Sequence, residues 1–433
     1  MASLVQGPRG TADVLPGESY RWQYVESKLK DICERFGYKE IRTPVFEHTE
    51  LFARGVGETT DIVGKEMYTM TDKGGRSITL RPEGTAGVVR SFLQHGLLKE
   101  MLPVRAYYFM SCFRYEKPQA GRWRVHHQLG IELFGAPAAE ADVEVILTAK
   151  AIIDGLGIGG ARLEINSVGC KDCRTGYHTA LVGYFSAHIG EMCETCKDRL
   201  ARNPLRILDC KSPVCQAFAK DAPVILDFLC GECSEHFNEL QKLLCETGVT
   251  YTINPRIVRG QDYYSRTVFE FIHVGAGAQQ SVCGGGRYDR LAEYLGGDYC
   301  AGVGFGMGIE RVLLVMEAEG VPIPKPEGPE VFLAFIGDAG KKRARRLCRV
   351  LQNAGMYALY DLNSRSLKAQ LKYADRAGAR YLIVIGDGEV ESESASLRDM
   401  RSKSECKVDL EAKAILKAVA ERRLLAEETE IRG

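Results

Sequence analysis

The sequence predicts an α+β protein: an antiparallel-sheet domain carries a helical, cysteine-rich insertion and is followed by a small α/β domain. Three observations point there. Short β-like runs separated by Gly, Pro and charged residues recur on both sides of a segment, roughly 165–250, where helical periodicity and Cys-x-x-Cys pairs take over. A linker-like stretch, Val321-Pro-Ile-Pro-Lys-Pro-Glu-Gly-Pro329, places four prolines in nine residues. Beyond it, strand-like and helix-like runs alternate, the pattern of βαβ units.

In chain order, Tyr20 to Phe36 sets Val25, Leu29, Ile32, Cys33 and Phe36 at helical spacing, with Gly37 as a stop. Tyr38–Thr43, Ile78–Leu80, Ala106–Phe113 and Gln128–Phe134 read as strands. After the insertion, Thr267–Ile272 is β-branched and aromatic, and a glycine triplet follows at Gly284–Gly286. Gly302–Gly308 then alternates glycine with apolar residues ahead of a helix from Ile309. The linker divides the chain into 1–325 and 326–433. In the second part Val331–Ile336, Met356–Tyr360 and Tyr381–Ile385 are strand-like, and 340–353 and 366–377 are helical. Residues from 330 onward include 20 Lys and Arg against 16 Asp and Glu, six of the basic ones between Lys341 and Arg349. Ala344, Leu347, Cys348 and Leu351 share the opposite helix face. Charge alone fits either a solvated face or one that meets phosphates.

Length and composition narrow the function. The 433 residues suit two or three domains at roughly 150 residues each. With 45% hydrophobic and 26% charged residues, the chain has an ordinary globular balance. Lys and Arg number 57, as do Asp and Glu, so any nucleic-acid contact must use local patches. The N-terminus lacks a signal-peptide pattern and no apolar run approaches 18 residues, so no membrane role and a cytoplasmic location are expected. In that reducing setting the 15 cysteines serve packing, metal or redox chemistry rather than disulfides.

Common nucleotide motifs fail. Gly64-Lys65 is followed by Glu66 instead of Ser or Thr, so there is no P-loop, and Gly302-Val-Gly-Phe-Gly-Met-Gly308 does not match Gly-x-Gly-x-x-Gly. What stands out is a series of polar clusters in apolar surroundings. They are Leu80-Arg-Pro-Glu-Gly-Thr-Ala86, Cys112-Phe-Arg-Tyr-Glu116 with Gly121-Arg-Trp-Arg124, Gln128 to Glu132, Arg259-Gly-Gln-Asp-Tyr-Tyr264, Gly284-Gly-Gly-Arg-Tyr-Asp289 and Gly308-Ile-Glu-Arg311. In this order, over nearly the whole chain, they closely resemble class II histidyl-tRNA synthetases. The resemblance implies ATP-dependent attachment of L-histidine to tRNA(His) through a histidyl adenylate, by a homodimeric aminoacyl-tRNA synthetase. Its C-terminal α/β domain would bind the anticodon.

The same resemblance distributes roles. The stretch around Arg42-Thr-Pro44 would build the dimer interface. Arg114 would hold the ATP α-phosphate and the amino-acid carboxylate, a task suited to a planar guanidinium that engages two oxyanions. Glu116 would accept the adenine amino group, and Arg122 and Arg124 would reach phosphate oxygens or the tRNA acceptor end. Arg311 would lie against the adenine and touch the γ-phosphate. Glu83, Thr85, Gln128, Glu132, Tyr263, Tyr264 and Tyr288 would form the histidine pocket. There Glu83, Gln128 and Glu132 surround the α-ammonium, while Tyr264 and the neighbourhood of Glu132 address the ring nitrogens. A pocket that pairs both nitrogens rejects analogues, because unpaired buried polar groups are costly. Arg259 would be the catalytic cation beside the α-phosphate, with Mg²⁺ accompanying the ATP. The chain departs from the family at His126, where an aromatic usually stacks on adenine, at Gln261 for leucine, and at Arg290 for glycine. Gln261 and Arg290 are expected to reshape the pocket wall.

Four cysteine pairs, Cys170/Cys173, Cys193/Cys196, Cys210/Cys215 and Cys230/Cys233, lie in 64 residues. The 19 residues between the first two pairs suit one Cys₄ zinc site, and eight ligands allow two. Structural zinc, an iron–sulfur cluster and unmetallated thiols all remain open. The other seven cysteines are expected in the core. A rival reading, a non-catalytic paralogue that senses histidine for histidine biosynthesis, would lack the anticodon domain and the ATP-binding arginines.

Overall fold

The computed structural model describes residues 4–432 apart from 58, 59, 120, 209, 211, 258 and 277–279. The chain divides between Pro324 and Lys325 into two units. The first opens with helix α1 (Ser19–Arg35), strands β1 (Lys39–Glu40) and β2 (Phe46–His48) and helix α2 (Thr49–Val56). Then come β3 (Tyr68–Thr71), β4 (Ser77–Leu80), α3 (Thr85–Gln94), β5 (Val104–Phe113), β6 (Val125–Phe134), α4 (Ala139–Gly155) and β7 (Arg162–Ser167). Four helices form the insertion: α5 (Lys171–Ser186), α6 (Glu194–Arg202), α7 (Pro213–Lys220) and α8 (Gly231–Glu246). The unit closes with β8 (Tyr251–Ile253), β9 (Ser265–Ile272), β10 (Ser281–Arg287), α9 (Leu291–Tyr294), β11 (Gly302–Gly308) and α10 (Ile309–Ala318).

Eight strands make one sheet in the order β1-β5-β6-β11-β10-β9-β7-β8, parallel only at its two ends. Period-two alternation decides what each face becomes. On β6, Leu129, Ile131 and Leu133 join the core formed with α1, α4 and α10, as do Val303, Phe305 and Met307 on β11. Gln128, Gly130 and Glu132 on β6 and the four glycines of β11 therefore occupy the other face. Cross-strand register then lines up Tyr108, Gly130, Gly306, Gly284 and Glu270 in one row. The result is a glycine-floored trough walled by side chains. The expected strand Tyr38–Thr43 is reduced to β1, after which Ile41 still donates its N–H to Tyr107 O at 2.8 Å.

The second unit contains β12 (Val331–Phe335), α11 (Gly337–Asn353), β13 (Ala358–Tyr360), α12 (Leu367–Arg376), β14 (Tyr381–Ile385), α13 (Asp387–Glu391), β15 (Ser394–Asp399), β16 (Glu405–Asp409) and α14 (Ala412–Arg432). Its sheet runs β13-β12-β14-β15-β16. The first three strands are parallel, while β15 and β16 add an antiparallel hairpin absent from the sequence reading. That hairpin is rich in Ser, Arg, Asp, Glu and Lys because it lies at the sheet edge and buries only alternate residues. On α11, Ala344, Leu347, Cys348 and Leu351 are buried, and Arg345, Arg346 and Arg349 line a hollow of about 390 Å³ with Tyr360. Among the described residues, no helix is long and apolar enough to cross a membrane.

Candidate active site

The open face of the large sheet holds a cavity of about 880 Å³. Of the residues singled out in the sequence, Glu83, Thr85, Arg114, Glu116, Arg122, His126, Gln128, Arg259, Tyr263, Tyr264, Tyr288 and Arg311 line it. One end is a polar, aromatic pocket. Glu83 precedes α3 and caps it, accepting the backbone N–H groups of Thr85 and Ala86 at 2.9 Å each. Burial raises the Glu83 pKa against these donors and against the nearby Arg114 charge. Beneath it Glu132 is almost fully buried and accepts hydrogen bonds from Thr85 Oγ1 at 2.8 Å, Tyr108 OH at 3.0 Å and Tyr288 OH. Burial pushes the Glu132 carboxyl up to about 8, with the three hydroxyl donors pulling the other way. Both its oxygens are engaged, so Glu132 forms the floor below the pocket instead of lining it. Tyr263, Tyr264 and Tyr288 pack together above, with ring centroids 4.8–6.5 Å apart.

The other end is cationic. Arg114, just past β5, donates from Nε to Pro82 O at 2.7 Å. Arg311, in the first turn of α10, donates to Ser281 O at 2.7 Å and Gly121 O at 3.2 Å. Burial lowers the Arg311 pKa, and the charges of Arg122 and Arg114 lower it further. Burial likewise lowers the Arg122 pKa, with the Arg114 charge adding to it, so positive charge gathers at this end of the cavity. Arg122 is ion-paired with Glu116, so that carboxylate is already occupied. His126 is half-buried, and its pKa falls to about 3 through burial and the charges of Arg114 and Arg311, which keeps the imidazole neutral. Arg124 does not line the cavity. It stacks over Tyr115, 3.9 Å from the ring centroid, and donates to Glu116 O at 3.3 Å.

Arg259 joins the two ends. It is ion-paired with Glu270 on β9 and lies over the Tyr264 ring, 5.4 Å from its centroid. Burial opposes its charge, but Tyr264 and Glu270 more than offset that and raise its pKa. Gly284 makes the space, since a Cβ there would lie 2.6 Å from Arg259 Nη1. Gly306 similarly leaves room for the Gln128 amide.

Several contributors escaped the sequence reading. Glu270 was visible as a lone charge in an apolar strand. Tyr108 had an indirect signal in Gly84 and Gly130, where any Cβ would strike its ring. Arg287 is fully buried and binds Asp142, Asp289 and the carbonyls of Ala136 and Ala138, and Asp142 also binds His236 of α8 at 2.8 Å. Arg199 and Arg206 of the insertion line the cavity too, which no local signal announced. Arg290 is exposed and pairs with Glu293 at 3.8 Å, away from the pocket wall, because it sits at the N-cap of α9. Gln261 does line the wall.

The cysteines assemble into two clusters, nested in the chain instead of consecutive. Cys170, Cys173, Cys230 and Cys233 form one, and Cys193, Cys196, Cys210 and Cys215 the other, with the sulfurs of each within 4.8 Å of one another. The first pair thus joins the fourth, against the spacing argument, because α5 and α8 begin side by side and enclose the inner pairs. Sulfur separations are 3.6 and 3.9 Å in the outer cluster and 3.7 Å between Cys193 and Cys210. A tetrahedral ion with metal–sulfur bonds of about 2.3 Å needs about 3.8 Å. The spacing suits a single ion better than a multi-iron cluster. Cys170, Cys193 and Cys230 stand at helix N-caps, and at Cys170 and Cys193 backbone N–H groups favour the thiolate. Of the remaining cysteines, five are buried as expected. Cys245 is exposed near the end of α8 and Cys406 is half-buried on an edge strand, so neither is a core residue.

Comparison with known proteins shows the family. The family profile "Histidyl-tRNA synthetase" matches residues 10–172 and 220–312, leaving out most of the insertion, and "Anticodon binding domain" matches 330–421. The chain belongs to the histidyl-tRNA synthetase family. The histidine–tRNA ligase of Caldanaerobacter subterraneus is 53% identical over 94% of this chain and 97% of its own. That of Alkaliphilus oremlandii is 51% identical over 96% and 99%. The apo S. aureus histidyl-tRNA synthetase shares the fold with a TM-score of 0.80 at 38% identity, over 95% of this chain and 99% of that one. As a histidyl-tRNA synthetase, the chain carries both the sheet-based unit and the anticodon-binding unit.

Proposed function

We propose that this chain is an ATP-dependent histidine–tRNA ligase in which the residues gathered on the open sheet face carry out adenylation. The observation that carries the reading is one cavity with two chemistries: a buried carboxylate–tyrosine pocket at one end, mutually repelling arginines at the other, and Arg259 between them. Histidine would sit over Glu132 with its ammonium near Glu83 and Gln128 and its ring near Tyr264. Its carboxylate would attack the α-phosphorus of ATP, forming the adenylate and releasing pyrophosphate. Arg114 and Arg259 would hold the charge that develops in line with that attack. The terminal ribose hydroxyl of tRNA(His) would then attack the adenylate carbonyl and release AMP.

Arg311 and the neutral ring of His126 would flank adenine. Glu116 could accept its amino group only by releasing Arg122, which would then turn to the phosphates. Among the described residues, no group of three or more carboxylates gathers in the cavity. Mg²⁺ would therefore arrive held mainly by the nucleotide, where it neutralises phosphate charge. The cysteine clusters would each hold a structural Zn²⁺. Around Arg42-Thr-Pro44 the neighbouring Val45 and Phe46 are 45% and 55% exposed, an apolar surface suited to a homodimer contact that sedimentation would detect. The arginines on α11 would face the tRNA, and the cytoplasm, where tRNA is charged, is the expected compartment.

Histidine-dependent exchange of labelled pyrophosphate into ATP tests the reading. Exchange with histidine and none of the other amino acids is expected. Its absence in folded, histidine-binding protein would favour the histidine-sensing paralogue.

A further inference from the structure

We propose that the metal-ordered insertion is a clamp on the catalytic loop, with Arg206 and Arg174 as positioning residues that hold Arg259 in place; this rests on the role given to Arg259 above. Among the described residues, Arg259-Gly-Gln-Asp262 lies between strands β8 and β9 outside any strand ladder, with Asp262 donating its N–H to Val56 O at 3.0 Å. Two of its carbonyls are held from the insertion. Arg206 donates from Nη2 to Gly260 O at 2.8 Å, and Arg174 from Nη1 to Asp262 O at 3.3 Å. Each arginine is tied to one cysteine cluster. Arg174 follows Cys173 directly on α5. Arg206 lies between Cys196 and Cys210, and its own carbonyl accepts from Arg199 Nη1 at 2.9 Å. Arg199 in turn reaches Asp61 Oδ2 at 3.4 Å, which ties this segment to another residue that lines the cavity.

The segment bearing Arg206 has little else to define it. Among the described residues between α6 and α7 the regular structure is one short 3₁₀ turn, Pro204–Ile207, and the insertion's small apolar cluster mixes cysteines such as Cys196, Cys210 and Cys215 with Tyr177, Leu181, Phe185, Met192, Ile207 and Ile225. A bound ion would supply the cross-link that a core this small lacks. Four thiolates around a divalent ion carry a net charge of −2, which also complements the guanidiniums of Arg199 and Arg206 nearby. Gln261, where the family has leucine, lines a second cavity between this loop and the insertion, with Arg174, Arg206 and Tyr177. The departure therefore falls on the clamp contact as well as on the substrate cavity.

The test combines metal content, hydrogen–deuterium exchange of residues 259–264, and pyrophosphate exchange on the purified full chain. Two zinc ions per chain are expected in the wild type and one in a Cys210→Ser/Cys215→Ser variant. Arg206→Ala should keep both ions yet exchange amides 259–264 about fivefold faster, as loss of one hydrogen bond predicts. It should also lower kcat for pyrophosphate exchange on the order of tenfold with little change in histidine KM, and Arg206→Lys should restore part of both effects. Wild-type protein that is metal-free and fully active would overturn the proposal. So would unchanged amide exchange and kcat in Arg206→Ala, a result that holds even if the cysteine variant fails to fold. Wild-type protein with two ions and a protected loop but no histidine-dependent exchange would count against the adenylation reading and leave the clamp standing.

Discussion

Gly284→Ala would move Arg259, the proposed catalytic cation, without removing it. The new Cβ would lie 2.6 Å from Arg259 Nη1, 2.7 Å from Nη2 and 2.9 Å from Cζ, whereas ordinary contact begins at 3.4 Å. The guanidinium must retreat by roughly 0.8 Å to reach that distance. It has little freedom to do so, being tied to Glu270 and packed on Tyr264. Displacements near 1 Å at a reacting centre cost about a hundredfold, or about 2.7 kcal/mol of transition-state stabilisation. Overpacking the sheet should cost a further 1–3 kcal/mol or so of folding stability, read separately by urea unfolding. The assay is steady-state pyrophosphate exchange at saturating histidine and ATP. Arg259→Ala should lose about 10²–10³-fold. The double variant should be no worse than Arg259→Ala alone, since both act through one group. A folded Gly284→Ala enzyme with kcat within about twofold of the wild type would refute the argument that this glycine exists to seat Arg259.

Three further outcomes are expected. Arg287→Ala leaves Asp142 buried without its main partner and should destabilise the protein by about 3–5 kcal/mol, visible as a large fall in the urea midpoint. His126→Phe should leave the acid limb of the pH–rate profile unchanged down to about pH 5, because an imidazole with a pKa near 3 does not titrate there; a shifted limb would show that His126 is charged in the working range. Glu132 has a folded pKa raised to about 8, so its contribution to stability is full below the ordinary carboxylate pKa and is lost as pH rises through 8. Urea unfolding at pH 5.5, 7 and 8.5 should show that loss in the wild type and a flatter dependence in Glu132→Gln.

Much of this protein was legible in the order of its residues. Alternation in Gln128–Phe134 and Gly302–Gly308 specifies which strand faces are core and which are open, since a strand turns successive side chains to opposite sides. The prolines of 321–329 marked a linker, and the polar blocks carried the family signature. Only the tertiary structure decided the rest. Strand register set Tyr108, three glycines and Glu270 in one row, a relation between residues up to 198 positions apart that no local pattern encodes. Arg290 turned outward because the chain begins a short helix there, while Gln261 stayed at the wall. The cysteine pairs could have closed consecutively or nested, and spacing within each pair is the same for both. The choice came from the N-termini of α5 and α8 meeting at Cys170, Cys173 and Cys230 while the apolar face of α5 packs into the insertion's own cluster and that of α8 into the core of the large sheet, and it placed the arginines between those pairs against the loop that holds Arg259.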